Sequence, residues 1–223
     1  MTLYVKAGPD GKCLGDCPFA HFVRMVLHAK GLEYDLRPAV QDTKPQWLIQ
    51  YYDGKMPALR HRRECYVESD TIAAYLDFFF PSPALTKEDA DGDAAMEGFF
   101  SAVAQYLKHT PDGDTGEQPK RERLCERLAA LNAHLAAGTG PYWTGDALQL
   151  QDCKLAPQLY VLYTSMAAFK TASAIDVPTD YPAVHAYMQH MMERDPAFRG
   201  TVCPAAVVEW GWGKARASAK ATP

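Results

Sequence analysis

No run of apolar residues in this sequence approaches the ~18–20 needed to cross a bilayer, so no membrane-spanning helix and no membrane partner are expected. Basic charge is not in excess. Lys and Arg total 23 against 27 Asp and Glu, and a net charge of −4 offers nucleic acid no electrostatic footprint. Cysteines are few and scattered: Cys13, Cys17, Cys65, Cys125, Cys153 and Cys203 include no C-x-x-C pair, since three residues separate the first two. Met1 to Lys6 carry no signal-peptide core, and a reducing compartment fits better than a disulfide framework. The expected location is the cytoplasm, or a chloroplast if a transit segment has been removed. His185 and His190 lack both the spacing and the glutamate of a zincin helix, and no metal site is expected. There is no internal repeat.

What remains is ordinary globular material, 48% hydrophobic and 22% charged over 223 residues, enough for one large domain or two small ones. The first part alternates strand and helix signals. Leu3 to Lys6 reads as a strand, Pro18 to Lys30 as a helix ended by Gly31, and Glu33 to Val40 as a second strand. Pro45 opens a short helix to Tyr51. Met56–Arg60 and Glu64–Val67 form a hairpin across the basic turn Arg60–Arg63, and Ser69 caps a helix stopped by Pro81-Ser82-Pro83. The order β-α-β-α-β-β-α is a thioredoxin-like layout.

No strand is expected after Pro83. Apolar residues at helical spacing mark one helix through Met96, Phe99, Val103 and Leu107, a second through Leu124, Leu128, Leu131 and Leu135, a third opened by Asp152, and a fourth at Val184–Met191. The predicted organisation is a thioredoxin-like domain at 1–81, a linker at 82–92, an all-helical domain at 93–213 and a disordered tail at 214–223.

The chemistry centres on Leu14-Gly15-Asp16-Cys17-Pro18-Phe19. Proline favours the first helical position, because its missing N–H has no partner there anyway. Cys17 then occupies the N-cap, where free N–H groups and the positive end of the helix dipole favour a thiolate. Such placement lowers a cysteine pKa from ~8.5 to as little as ~3.5–7.5 and makes the sulfur a nucleophile. The plain alternative is a small buried hydrophobe, although Cys17 precedes the apolar stripe of its helix. Ala20 stands where a C-x-x-C motif would have its second cysteine, so an external thiol is expected to resolve any disulfide formed here, Cys13 of the preceding loop being the one neighbour that could substitute.

These segments resemble the glutathione transferase superfamily, and most closely the glutathione-dependent dehydroascorbate reductases of plants and algae. The likeness rests on Lys6-Ala7-Gly8, the Cys17 segment, Lys44-Pro45-Gln46-Trp47, Gly54-Lys55-Met56-Pro57 and Glu68-Ser69-Asp70. In the second half it rests on Leu131–Leu135, Asp152–Pro157, Leu159-Tyr160 and Ala168-Phe169-Lys170, and it extends to Gly211-Trp212. The resemblance implies glutathione dehydrogenase (ascorbate) activity. Cys17 attacks the dicarbonyl region of dehydroascorbate, ascorbate leaves, one glutathione forms a mixed disulfide with Cys17, and a second resolves it. Glutathione is then a co-substrate, with no bound cofactor, and the chain a monomer.

The same resemblance implies roles for other residues. Lys6 and Asp16 bind the ascorbate-side substrate, although a carboxylate beside a thiolate should raise the thiol pKa. Met56-Pro57 is the cis-proline segment that pairs with the cysteinyl amide of glutathione, Glu68 and Ser69 hold its γ-glutamyl end, and Lys44 meets its glycine carboxylate. Bland alternatives are a turn proline, a helix cap and a surface lysine. Two departures stand out: Gln149 is a weak residue for the cap three before Asp152, and Glu68 replaces a more usual aspartate. The competing relatives are omega-class thiol transferases and the chloride intracellular channel proteins, which share the Lys-Ala-Gly start and the Cys-Pro-Phe segment. Arg24, His28 and Lys30 would be expensive in hydrocarbon.

Overall fold

The computed structural model describes residues 1–220. Its first half is β1 (Thr2–Lys6), α1 (Pro18–Ala29), β2 (Asp35–Ala39), a 3-10 turn at Gln41–Thr43, α2 (Gln46–Tyr52), β3 (Ala58–His61), β4 (Glu64–Val67) and α3 (Ser69–Phe79). The expected order holds. The strands form one sheet in the order β2-β1-β3-β4, with β1 parallel to β2 and antiparallel to β3. Eight helices follow: α4 (Ala90–Met96), α5 (Phe99–Lys108), α6 (Gln118–Ala137), α7 (Leu150–Phe169), α8 (Val177–Asp180), α9 (Pro182–Glu193), α10 (Pro196–Arg199) and α11 (Ala205–Lys220).

α1 explains why the halves do not separate. It starts at Pro18, and its residues from Ala20 to Leu27 are all buried, Arg24 and His21 included. A helix buried all round needs neighbours on every side. α3 meets one side and α7 and α10 the other, so a single apolar cluster runs from Leu3 through α1 to α7 and α9. Arg24 is tolerated inside because its guanidinium donates to Tyr34 Oη and to the Thr201 carbonyl. The helix stops at Gly31, whose φ of +62° suits glycine. Gly31 N–H binds His28 O, and Leu32 N–H binds Leu27 O at 2.9 Å, a Schellman stop.

The segment between the halves is tied down. Lys30 Nζ, fully buried, donates to Asp77 Oδ1, Phe80 O and Pro83 O at 2.6–2.8 Å, which uses all three of its donors. Asp77 also accepts from the N–H groups of Leu85 and Thr86. Ordered helix begins at Ala90, inside the stretch read as linker.

Three expectations are corrected. The helix read through Met96 to Leu107 is two helices, broken at Gly98 with a φ of +70°. The start of α7 does not rely on Gln149: Asp152 accepts from Gln149 N–H and Trp143 N–H, both at 2.8 Å, and so supplies the missing cap. Residues 214–220 are helical, not disordered. Arg216 anchors them by donating to the carbonyls of Leu107 and His109 and lying 5.2 Å from the Phe169 ring. Residues 221–223 of the expected tail lie outside the described residues.

Candidate active site

Strand register brings the candidate residues to one end of the sheet. Lys6 ends β1 opposite Ala39, the end of parallel β2. β3 runs back along β1 from Ala58, and Ala58 pairs with Val67 at the end of β4. Met56-Pro57 therefore enters, and Glu68-Ser69 leaves, where β1 stops. The loop after β1 folds back through a bridge between Ala7 and Leu14 and a bond from Gly15 N–H to Lys6 O at 2.9 Å. A Cβ at Gly15 would lie 2.4 Å from that oxygen, so only glycine allows the approach. The chain then delivers Cys17 to the N-cap of α1, with φ −73° and ψ 115°.

Lys6 and Asp16 form an ion pair beside it, Nζ to Oδ1 at 2.7 Å, with Lys6 half exposed and Asp16 buried. Gly211 of α11 closes the far side of Asp16: a Cβ there would sit 2.1 Å from Oδ2. The Met56–Pro57 bond is cis. Glu68 caps α3 with φ +67°, a conformation rare outside glycine, and pairs with Lys55 at 2.9 Å. Ser69, expected as the cap, is instead the first helical residue of α3 and buried, with Glu68 at the cap position. Lys44 donates to Gln41 at 3.1 Å and lays its stem against Gly54. Lys6, Asp16 and Cys17 are thus in one cluster, and Lys44, Met56, Pro57, Glu68 and Ser69 follow along the same end of the sheet.

The expected low pKa of Cys17 is not what this environment produces. Its residue surface is only partly covered, yet the sulfur faces inward, and burial pushes the thiol above its ordinary value. The N–H groups of Ala20 and Phe19 pull it down, the Asp16 carboxylate pushes it up, and the Lys6 ammonium pulls it down. The capping geometry is present, but desolvation outweighs it. Cys13 is also raised, through its bond with Asp10.

Two spaces adjoin the cluster. A cleft of about 930 Å³ runs between α3 and the helical half, lined by Phe19, Asp70, Ala73, Met96, Phe100 and Lys154. The Lys154–Asp70 ion pair, 2.7 Å, spans it, and Phe19 stacks edge-on to Phe100 at its margin. Cys17 does not line this cleft. It lines a cavity of about 10 Å³ on the other side of α1's start, shared with His21, Pro157, Tyr160 and Cys203.

Residues 14–84 match the model of the glutathione S-transferase N-terminal domain, and residues 90–190 that of its C-terminal domain. This chain belongs to the glutathione S-transferase family. Among similar proteins, glutathione S-transferase DHAR2 of Arabidopsis thaliana is 30% identical, covering 89% of this chain and 90% of that one. The crystal structure of Chlamydomonas reinhardtii dehydroascorbate reductase superposes with a TM-score of 0.81 at 28% identity, over 96% of this chain and 97% of the other. Chloride intracellular channel protein 3 of Homo sapiens is 24% identical over 92% of this chain and 91% of its own.

Within this glutathione S-transferase fold, sequence reasoning missed four residues near the site. Lys55 pairs with Glu68, and its signal was its place beside Met56-Pro57. His21 is one helical turn from Cys17, a spacing visible in the sequence. Gly211 and Cys203 come from nearly two hundred residues away; Cys203 carried no local signal, and Gly211 only its place in the likeness at Gly211-Trp212. Tyr160, part of the Leu159-Tyr160 likeness, donates to Cys203 O at 2.9 Å and borders the Cys17 cavity.

Proposed function

We propose that this chain is a glutathione-dependent dehydroascorbate reductase acting through Cys17 as a monomer. One observation carries the reading: a single thiol at the N-cap of α1, flanked by the Lys6–Asp16 pair, with Ala20 in place of a resolving cysteine. Relatives named as dehydroascorbate reductases, matching nearly the whole chain, support it.

In this reading the Cys17 thiolate adds to a carbonyl carbon of dehydroascorbate. The first glutathione thiolate attacks the Cys17 sulfur, and the electrons of the carbon–sulfur bond leave with ascorbate. A second glutathione attacks the Cys17–glutathione disulfide, which releases glutathione disulfide and restores the thiolate. Two thiols are oxidised and one dicarbonyl is reduced by two electrons. Lys6 attracts the sulfur's charge and, with Asp16, meets the polar groups of dehydroascorbate. Pro57 presents main chain to the cysteinyl amide of glutathione, as an added strand would. Glu68 takes the γ-glutamyl ammonium, the first turn of α3 at Ser69 takes its carboxylate, and Lys44 takes the glycine carboxylate.

The competing chloride-channel reading requires a segment that enters lipid. Among the described residues no helix is long and apolar enough to cross a membrane, and α1 buries Arg24 in a satisfied internal site. The deciding experiment follows ascorbate formation by its ultraviolet absorbance, with glutathione and dehydroascorbate, for wild type and Cys17→Ser. Turnover should fall to the uncatalysed rate in the variant. Retained turnover would move the chemistry to another residue, and a wild type that reduces glutathione mixed disulfides but not dehydroascorbate would favour an omega-type thiol transferase.

A further inference from the structure

We propose that His21 is a positioning residue for Cys17: its Nε2 accepts one O–H of a single water held in the cavity between them, and that water's other O–H is directed at the Cys17 sulfur. The proposal rests on Cys17 being the nucleophile.

Placement comes from the helix. Residues four apart share a face, and His21 N–H already binds Cys17 O at 3.1 Å. Both side chains border the cavity of about 10 Å³, the size that admits one water. His21 is 7% exposed, and its ring packs on Phe198 at 5.0 Å. The ring also bonds the Phe198 main chain, while Nε2 is buried without a partner. With the proton on Nδ1, toward the Phe198 carbonyl, Nε2 is a bare acceptor.

The other polar groups around the cavity are engaged elsewhere. Asp16 pairs with Lys6. The Tyr160 hydroxyl donates to Cys203 O, and the Thr201 hydroxyl to Ala197 O. The Cys203 thiol is pushed up to about 11 by burial and by Asp16, so it stays neutral. Burial and Arg24 hold His21 down to about 3, so it too is neutral and can only accept at Nε2. A neutral acceptor there fixes the water's orientation: one O–H is taken, and with the Asp16 carboxylate, the competing acceptor in the cavity, held by Lys6, the other is directed to sulfur. A hydrogen bond donated to sulfur favours the thiolate over the thiol. His21 thereby offsets part of the desolvation that raises Cys17.

The test is the pH profile of Cys17 alkylation by iodoacetamide, read by peptide mass spectrometry, in wild type, His21→Leu and His21→Gln. His21→Leu should slow alkylation about tenfold below the midpoint and move the midpoint up by about one pH unit, the effect of one hydrogen bond to a charged group. His21→Gln, whose side-chain oxygen also accepts from water, should stay within about threefold of wild type on the same argument. Equal profiles for wild type and His21→Leu would overturn the proposal, as would a His21→Gln profile matching His21→Leu. Should His21→Leu not fold, nitrogen-15 histidine spectra of the wild type decide instead. A proton on Nδ1, with an Nε2 signal that moves on alkylation of Cys17, supports the proposal. A proton on Nε2, or no response, sinks it. These readouts need no dehydroascorbate, so a wild type inactive on that substrate would refute the proposed function and leave this result standing.

Discussion

Two glycines of α11 stand two residues apart and should respond to alanine in opposite directions. A Cβ on Gly211 would lie 2.1 Å from Asp16 Oδ2 and 2.2 Å from its Cγ, distances no real contact reaches. Asp16 has little room to retreat, because it is buried and held by Lys6 at 2.7 Å. Overpacking of this kind costs ~1–3 kcal/mol, and displacing the carboxylate also loosens an ion pair worth up to ~1 kcal/mol. Replacing glycine by alanine inside a helix returns ~1 kcal/mol. The net for Gly211→Ala is a loss of up to about 3 kcal/mol, centred on ~1.5, or ~3–6 °C of Tm at the centre for a chain of this size. A Cβ on Gly213 meets only Phe169 Cζ at 3.7 Å, an ordinary contact. Gly213→Ala therefore keeps the helix gain and should raise Tm by ~2–4 °C. Calorimetric melts of both variants read the stability, and the ascorbate assay reads the site. Gly211→Ala should also lose reductase activity, because its clash falls on the carboxylate next to Cys17, while Gly213→Ala should not. A Gly211→Ala protein at least as stable as wild type would refute the claim that α11 closes on Asp16.

Other outcomes follow from the same geometry. Mild oxidant plus glutathione should add the tripeptide to Cys17, read by mass spectrometry, and modification mainly at Cys13 would count against the assignment. Lys6→Ala leaves Asp16 buried without its partner beside the sulfur. It should lower kcat/KM for dehydroascorbate about tenfold, the loss of one charged contact, with the KM for glutathione near wild type; equal losses would undo the role of Lys6. His21 titrates at 6.5 when unfolded and at about 3 when folded. Its contribution to stability is whole above pH 6.5 and is lost as pH falls toward 3, with a slope of up to ~1.4 kcal/mol per pH unit. His21→Gln should remove that slope from urea unfolding measured across this range, and identical slopes in the two proteins would contradict a neutral buried imidazole.

Much of the fold was legible because its signals are local. Proline at the start of α1, Gly31 at its end and the alternation of β1 each report on a few adjacent residues. The C-terminal helix was not legible for the opposite reason. From Lys214 onward the residues are small and basic, the composition of a disordered tail. What holds them is Arg216, capping carbonyls at the end of α5 more than a hundred residues earlier. The break at Gly98 was missed because the apolar spacing runs on through it, and only two residues, extended Glu97 and Gly98 at φ +70°, separate α4 from α5.

The ionisation of Cys17 divides in the same way. Most of what is local to it favours a thiolate: the N–H groups of Phe19 and Ala20 that the proline start of α1 leaves free, and the ammonium of Lys6, against the push of the neighbouring Asp16 carboxylate. Those terms depend on a few residues near β1 and α1, and the sequence pattern locates them. The opposing term is desolvation, and the residues that share the Cys17 cavity include ones from afar: Pro157 and Tyr160 of α7, Cys203, and Val208 of α11. Backbone N–H groups attract the charge only near the helix end, whereas burial acts on the whole sulfur, so the distant elements outweigh the local ones. The sulfur is therefore most easily ionised when something supplies new charge or hydrogen bonds to it, or changes those of the Lys6–Asp16 pair beside it. In the proposed reaction that happens when dehydroascorbate engages Lys6 and Asp16. Asp16 then directs its charge to substrate hydroxyls, and its push on the thiol weakens. The alkylation profile of Cys17 should accordingly shift to lower pH when ascorbate, the product that fills the same contacts, is present. An unshifted profile at saturating ascorbate would mean that Lys6 and Asp16 do not face the substrate.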